Sequence, residues 1–118
     1  MISRSGALTT ADKFLPHGLD EETIEELRAQ LRSQRRIAKA WLARKALRHR
    51  PDEDPVFALA VKKRFWSFAG EGYVDRLCKE LRGVGRMYIV LANAFDNDTY
   101  RKIGKAVRKA EGARIYSR

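Results

Sequence analysis

The sequence has little of several residue types that small functional domains often depend on. Among its 118 residues are one cysteine, two histidines and three prolines. The single thiol, Cys78, excludes an internal disulfide and indicates a reducing compartment. No apolar run approaches the roughly 20 residues of a membrane-spanning helix, and no signal-peptide pattern precedes Asp20. We therefore expect a cytoplasmic protein with no membrane segment.

The sequence also lacks a recognisable set of catalytic residues. An enzyme of the common classes needs a nucleophile beside a base, a pair of carboxylates or a bound metal ion. His17 lies in a segment without helical or strand periodicity, His49 stands among arginines, and Cys78 falls on an apolar helical stripe. We predict no catalytic, metal-ligating or cofactor-binding residue, which favours a non-enzymatic domain.

Negative charge is scarce relative to positive charge. Lys and Arg number 25 against 15 Asp and Glu, so the formal net charge is +10 and the isoelectric point is near 10.2. Such a chain attracts polyanions, whatever its fold. The hydrophobic fraction of 44% is nevertheless enough for a core, and the length suits one domain.

The pattern of apolar residues predicts the main elements. Residues 1–18 read as a flexible arm, and a single domain is expected over residues 19–118. Asp20 can cap a helix over residues 21–34. A second helix is expected from Tyr73, an apolar strand over Met87 to Ala92, and a short last strand at the end of the chain. A third helix is expected between these strands, capped by Asp96, Asn97 or Asp98. The predicted buried cluster comprises Leu77, Cys78, Leu81, Ile89, Leu91, Ile103 and Val107.

Residues 35–50 fit two structures. Their composition favours a continuation of the first helix, since Ala, Leu, Lys and Arg are strong helix formers. The turn-forming run from Pro51 to Pro55 and the strand-like run from Val56 to Val61 favour a β-hairpin instead. Periodicity alone leaves the two structures open.

A family resemblance bears on this choice. The segment Ile37 to Leu42, the strand-like run Val56 to Val61 and the ending Gly112 to Arg118 together resemble the C-terminal domain of the enhanced serine sensitivity protein family. The resemblance covers roughly residues 27–118. It implies a strand after the first helix, paired with the next apolar run, and it supplies no catalytic residues. With the hairpin, the fold class is α/β (α+β): an N-terminal helix, then β-hairpin-α-β-α-β, with a mixed sheet covered by helices.

Basic residues are the strongest functional signal. Residues 28–50 contain no acidic residue, and a positive face is expected on the third helix. The candidate contacts for an anion or a nucleic acid are Arg35, Arg36, Arg44, Arg48, Arg101, Lys105 and Arg108. Trp41, Phe65 and Trp66 would add base stacking if exposed. We expect a binding domain with a protein partner or self-association, or alternatively a nucleic-acid-binding domain. Whether the two basic segments form one patch stays open.

Overall fold

Three helices and six strands make up the part of the domain that the structure describes. The computed structural model describes residues 2–4, 8–46, 56–64, 71–82, 86–93 and 97–117. In chain order the elements are β1 (Ile2–Arg4), β2 (Phe14–Pro16), α1 (Glu21–Arg32), β3 (Ile37–Lys45), β4 (Val56–Lys63), α2 (Glu71–Glu80), β5 (Arg86–Leu91), α3 (Asp98–Arg108) and β6 (Arg114–Ser117).

The sheet is mixed, and β3 lies inside it rather than at an edge. The strand order is β1-β5-β4-β3, and both β2 and β6 pair with the free edge of β3. Neighbours β1, β5 and β4 run parallel, whereas β3 is antiparallel to β4, β2 and β6. This is the α+β class with a mixed sheet that the sequence predicts.

The β-hairpin is confirmed. Strand β3 pairs with β4, and from Ala40, which faces Val61, to Arg44, which faces Phe57, the register is regular; it shifts between Ile37 and Lys39. The helix α1 ends at Arg32 with Ser33 as its C-cap, so the helix propensity of the following residues does not decide their structure. Burial on the sheet outweighs that propensity, because the stretch Ala40 to Ala43 is buried throughout.

Helices cover both faces of the sheet. Helices α1 and α2 lie side by side, joined where the Gln30 side chain contacts the Arg82 backbone and where Gln34 donates to Glu80. Helix α3 lies on the face of Ala60 and Ala92, because a Cβ built on Gly104 comes within 4 Å of both side chains. Since successive residues of β4 are buried from Val56 to Val61, both faces of this strand are covered, and α1 and α2 lie on the other face. The chain therefore passes from one layer to the other at strand β5.

The predicted core forms one cluster. Leu77, Leu81, Ile89, Leu91, Ile103 and Val107 are all buried, and Cys78 is half-buried against them. The layer under α1 and α2 holds bulky side chains such as Leu42, Leu59 and Ile89. In the layer under α3, the small side chains of Ala60 and Ala92 lie where Gly104 packs on the sheet.

The N-terminal segment departs from the arm without secondary structure that its composition predicts. Strand β1 pairs with β5 and strand β2 pairs with the end of β3. Each strand has three residues, too few to show a period of two in the sequence. Pro16 is compatible with β2 because an edge strand leaves one side of its backbone unpaired.

None of the helices in the described ranges has the length and apolar character needed to cross a bilayer.

Candidate anion-binding groove

Helix α3 positions the basic side chains of the candidate site. The side chain of Asn97 caps it by accepting the Tyr100 N–H at 3.0 Å. Its buried stripe, which includes Ile103 and Val107, holds it on the sheet. The Gly104 backbone approaches Ala92 so closely that a Cβ there would lie 3.0 Å from the Ala92 Cβ. This close packing explains a glycine in the middle of a helix.

An open groove of about 460 Å³ runs beside this helix and is lined almost entirely by cations. We call it the basic groove; its lining residues are Ala92, Arg101, Lys105, Arg108 and Lys109. Arg101 forms an ion pair with Asp98, but its Nε is buried without a hydrogen-bond acceptor. Such a groove concentrates positive potential and suits a phosphate or carboxylate ligand.

Arg108 is held in place by an aromatic ring. Its guanidinium carbon lies 4.8 Å from the ring centre of Trp41 on β3, within cation–π distance. Trp41 is only 6% exposed, so it orients Arg108 and cannot stack on a base itself. The exposure on which base stacking by Trp41 depended is therefore absent. Phe65 and Trp66 lie outside the described residues.

The structure brings together some of the predicted contact residues and separates others. Arg101, Lys105 and Arg108 line the basic groove. Arg35 and Arg36 are exposed in the turn before β3, at the sheet end where β4 and β5 finish. Arg44 lies near the other end of β3, so it does not join Arg35 and Arg36 at this end of the sheet. Arg48 lies outside the described residues.

The basic residues of α1 do not add to this surface. Arg28 pairs with Glu21 at 2.6 Å and with Glu25 at 3.1 Å, and Arg32 pairs with Glu25 at 2.6 Å. These partners precede the basic block in the sequence but stand one or two turns away on the helix. The positive charge of α1 is partly compensated, and it belongs to the layer opposite α3.

Two lysines that were not among the predicted contacts face each other across the hairpin. Lys39 on β3 pairs directly with Lys62 on β4. Lys39 lies two residues from Trp41, and Lys62 lies two residues from Ala60. Because side chains alternate between faces along a strand, both lysines share the sheet face that α3 covers. Lys109 of the basic groove was also not among the predicted contacts, although it lies four residues after Lys105.

A further cationic group lies at the same end of the sheet. The Lys63 Nζ is 4.5 Å from the ring centre of Tyr73. Burial, together with nearby Arg36, lowers the pKa of Lys63, and burial raises the pKa of Tyr73. The Arg36 carbonyl accepts the Arg64 N–H at 2.9 Å, which fixes these residues close together. The potential at this end of the sheet is therefore positive on both sides of the strands.

Neither a metal-ligating cluster in the described ranges nor similarity to known proteins adds to this geometry. Within the ranges that the structure covers, no three His, Cys, Asp or Glu side chains cluster as a metal site would require. Comparisons with protein-family models, with curated proteins and with solved structures each found no match.

Proposed function

We propose that this chain is a non-enzymatic binding domain whose basic groove contacts the phosphate backbone of a nucleic acid. One observation carries the proposal: four cationic side chains, three from α3 and one from its C-cap, line a single open groove. The carboxylate paired with them in the described structure is Asp98, on Arg101. Like charges gathered in this way repel one another unless an anion is bound between them.

The geometry favours a polymer with successive phosphates over a single small anion. Arg101, Lys105 and Arg108 follow one edge of α3 over two turns, roughly 10 Å along its axis. A row of that length can contact successive phosphates of a polymer. Arginine suits this role because its planar fork of N–H donors matches phosphate oxygens. Contacts of this type position a nucleic acid without reading its sequence.

The family resemblance stays a prediction and does not enter this argument. It concerns residues 27–118 and the order of strands, and it implies no ligand. An acidic protein segment is the other partner class that the groove would attract, because carboxylates pair with the same cations. A competition experiment distinguishes the two partner classes, because a nucleic acid presents phosphates and an acidic protein segment presents carboxylates.

The test is a triple charge reversal on α3. The variant Arg101→Glu, Lys105→Glu, Arg108→Glu is compared with Arg76→Glu, Lys79→Glu, Arg82→Glu, which changes the net charge equally on and just after α2. Binding of a fluorescent 20-base-pair duplex of mixed sequence is titrated at several salt concentrations around 0.15 M. We expect the α3 variant to bind at least about tenfold more weakly than the α2 variant. Its salt slope should fall by about 0.9 for each lost phosphate contact.

Three results would contradict the proposal. The first is no binding by the parent protein at physiological salt, and the second is an equal loss in both triple variants, which would indicate adhesion by net charge. The third is displacement of the duplex by poly-glutamate as effective as displacement by unlabelled duplex. That outcome would assign the groove to an acidic protein partner. Circular dichroism of both variants checks that they fold.

A further inference from the structure

We infer that the Lys39–Lys62 pair is a second arm of the nucleic-acid interface, holding a phosphate on the sheet while α3 contacts others. The inference rests on the proposed function and extends it from one helix to two elements. It also narrows the ligand class to a polymeric phosphodiester, because a mononucleotide with one phosphate group cannot occupy both arms.

The position of the pair comes from the strand register. Val61 pairs with Leu91, and the Ala92 N–H donates to the Val61 carbonyl at 2.8 Å. Ala92 therefore stands beside Lys62 in the sheet. Lys62 faces Lys39, and Lys39 faces Ser117 on β6. Four residues form a row across the sheet: Ala92, Lys62, Lys39 and Ser117.

This row is continuous with the basic groove. Ala92 belongs to both, since it lines the groove beside α3 and ends the row directly after β5. Lys62 and Ser117 are exposed and Lys39 is half-buried, so the row is open to a ligand. A phosphate backbone lying in the groove would meet the lysine pair as it leaves the helix. The Ser117 hydroxyl offers one more donor at the end of the row.

The pair itself is unfavourable without a counterion. Side chains directly opposite on antiparallel strands have Cβ atoms about 5 Å apart, and like charges at such positions destabilise a sheet. Neither ammonium group forms an ion pair with a carboxylate in the described structure, whereas Lys45 on the same strand pairs with Asp12 at 3.5 Å. One phosphate between the two ammonium groups would convert the repulsion into two charge-assisted hydrogen bonds.

The lysine pair should affect binding and stability in opposite directions. Removing both lysines should weaken binding and, at the same time, stabilise the unliganded protein. If the pair had only a structural role, removing it would not both weaken binding and raise stability. The same 20-base-pair duplex reports binding, and thermal unfolding without DNA reports stability.

The experiment compares Lys39→Gln, Lys62→Gln with Lys13→Gln, Lys79→Gln, two exposed lysines outside the row and the groove. We expect the first variant to bind about fivefold or more weakly than the second, with a salt slope lower by about 0.9, the value for one phosphate contact. Its unfolding temperature should exceed that of the parent protein. Adenosine monophosphate at millimolar concentration should not displace the duplex.

The outcomes separate this inference from the proposed function. If the parent protein binds the duplex and the two variants bind equally, the lysine arm does not exist, while the groove proposal stands. A lower unfolding temperature together with lost binding would mean that the lysines support the fold, and it too overturns the inference. If the parent does not bind at physiological salt, the proposed function fails and the inference with it.

Discussion

Asn93 completes the sheet as if its side chain were a strand residue. Its Oδ1 accepts the Lys63 N–H at 3.0 Å, and its Nδ2 donates to the Lys63 carbonyl at 2.9 Å. Asn93 is 6% exposed and is the one buried polar residue found in the described core. The amide is suited to this position because it carries both a donor and an acceptor.

Replacing Asn93 by Ala should therefore be costly. Both Lys63 backbone groups would lose their partners in a half-buried site, and each such group costs about 1–3 kcal/mol. We expect the free energy of unfolding in urea to fall by about 2 kcal/mol or more. The matched variant Asn97→Ala removes only the cap of α3 and should cost about 1 kcal/mol. Equal losses in the two variants would contradict this account of Asn93.

Gly104→Ala tests the close packing of α3 on the sheet. Helix propensity alone would stabilise the domain by about 1 kcal/mol. The new Cβ, however, would lie 3.0 Å from the Ala92 Cβ and 3.1 Å from its Cα. Overpacking of this kind costs about 1–3 kcal/mol, so we expect a net loss in thermal or urea unfolding. The double variant with Ala92→Gly should recover part of the loss, and a stabilised single variant would show that the layers can separate freely.

His17 should make stability depend on pH in the weakly acidic range. Its Nδ1 accepts the Leu19 N–H at 3.0 Å, which requires the neutral ring. Burial, opposed by a hydrogen bond with the Gly112 backbone, lowers the pKa of His17; Arg28 lowers it further and Glu21 raises it. The unfolded state then binds the proton more tightly. Stability should be full above about pH 6.5 and should fall as the pH drops below that value.

Urea unfolding at pH 7.5, 6.5 and 5.5 measures this effect. The variant His17→Asn keeps an acceptor for Leu19 and cannot titrate, so its stability should change less over the same range. The pKa values of Asp20 and Glu25 are also lowered, but these groups lose their contribution only near pH 4. A parent and variant with parallel pH curves between 7.5 and 5.5 would rule out His17 as the source.

Arg28 should contribute more to the stability of the domain than Arg32, which lies four residues later on α1. The Arg28 Nε donates to the Ile115 carbonyl at 2.6 Å, so the side chain joins α1 to the last strand. The same guanidinium also donates to Glu21 on its own helix. Arg28→Ala should lower the free energy of unfolding by about 1–2 kcal/mol, since it removes a charge-assisted hydrogen bond and buried stem contacts. Arg32→Ala, with a side chain 58% exposed, should cost under about 0.5 kcal/mol. The reverse order would contradict the tie between α1 and β6.

Local signals in the sequence were enough to predict the helices. For residues 35–50 they left a helix and a hairpin open, and the family resemblance favoured the hairpin. Asp20 caps α1 as expected, with the Thr23 N–H donating to it at 2.8 Å. The apolar stripes of α2 and α3 are buried as their spacing predicts. Such features depend on residues within one or two turns of each other. A single sequence displays them directly.

Features that depend on long-range pairing could not be predicted. The strand β1 forms only because Ile2–Arg4 lies beside β5, and nothing in three residues indicates that partner. The separation of Arg36 from Arg44 depends on β3 being extended, which places them roughly 26 Å apart at 3.3 Å per residue. The facing of Lys39 and Lys62 requires the exact hairpin register, which a one-residue slip would abolish.

The position of β3 has a consequence for the order of folding. The β3–β4 hairpin pairs segments that are close in the sequence. The pairings of Arg4 with Ile89 and of Lys39 with Ser117 join residues that are far apart in the sequence. Closing a long loop costs more chain entropy than closing a short one, and distant pairings slow folding. The hairpin should therefore form the nucleus, with β6 and β1 added late. Leu59→Ala, in the hairpin, should slow refolding in stopped-flow kinetics, whereas Ile115→Ala should mainly accelerate unfolding.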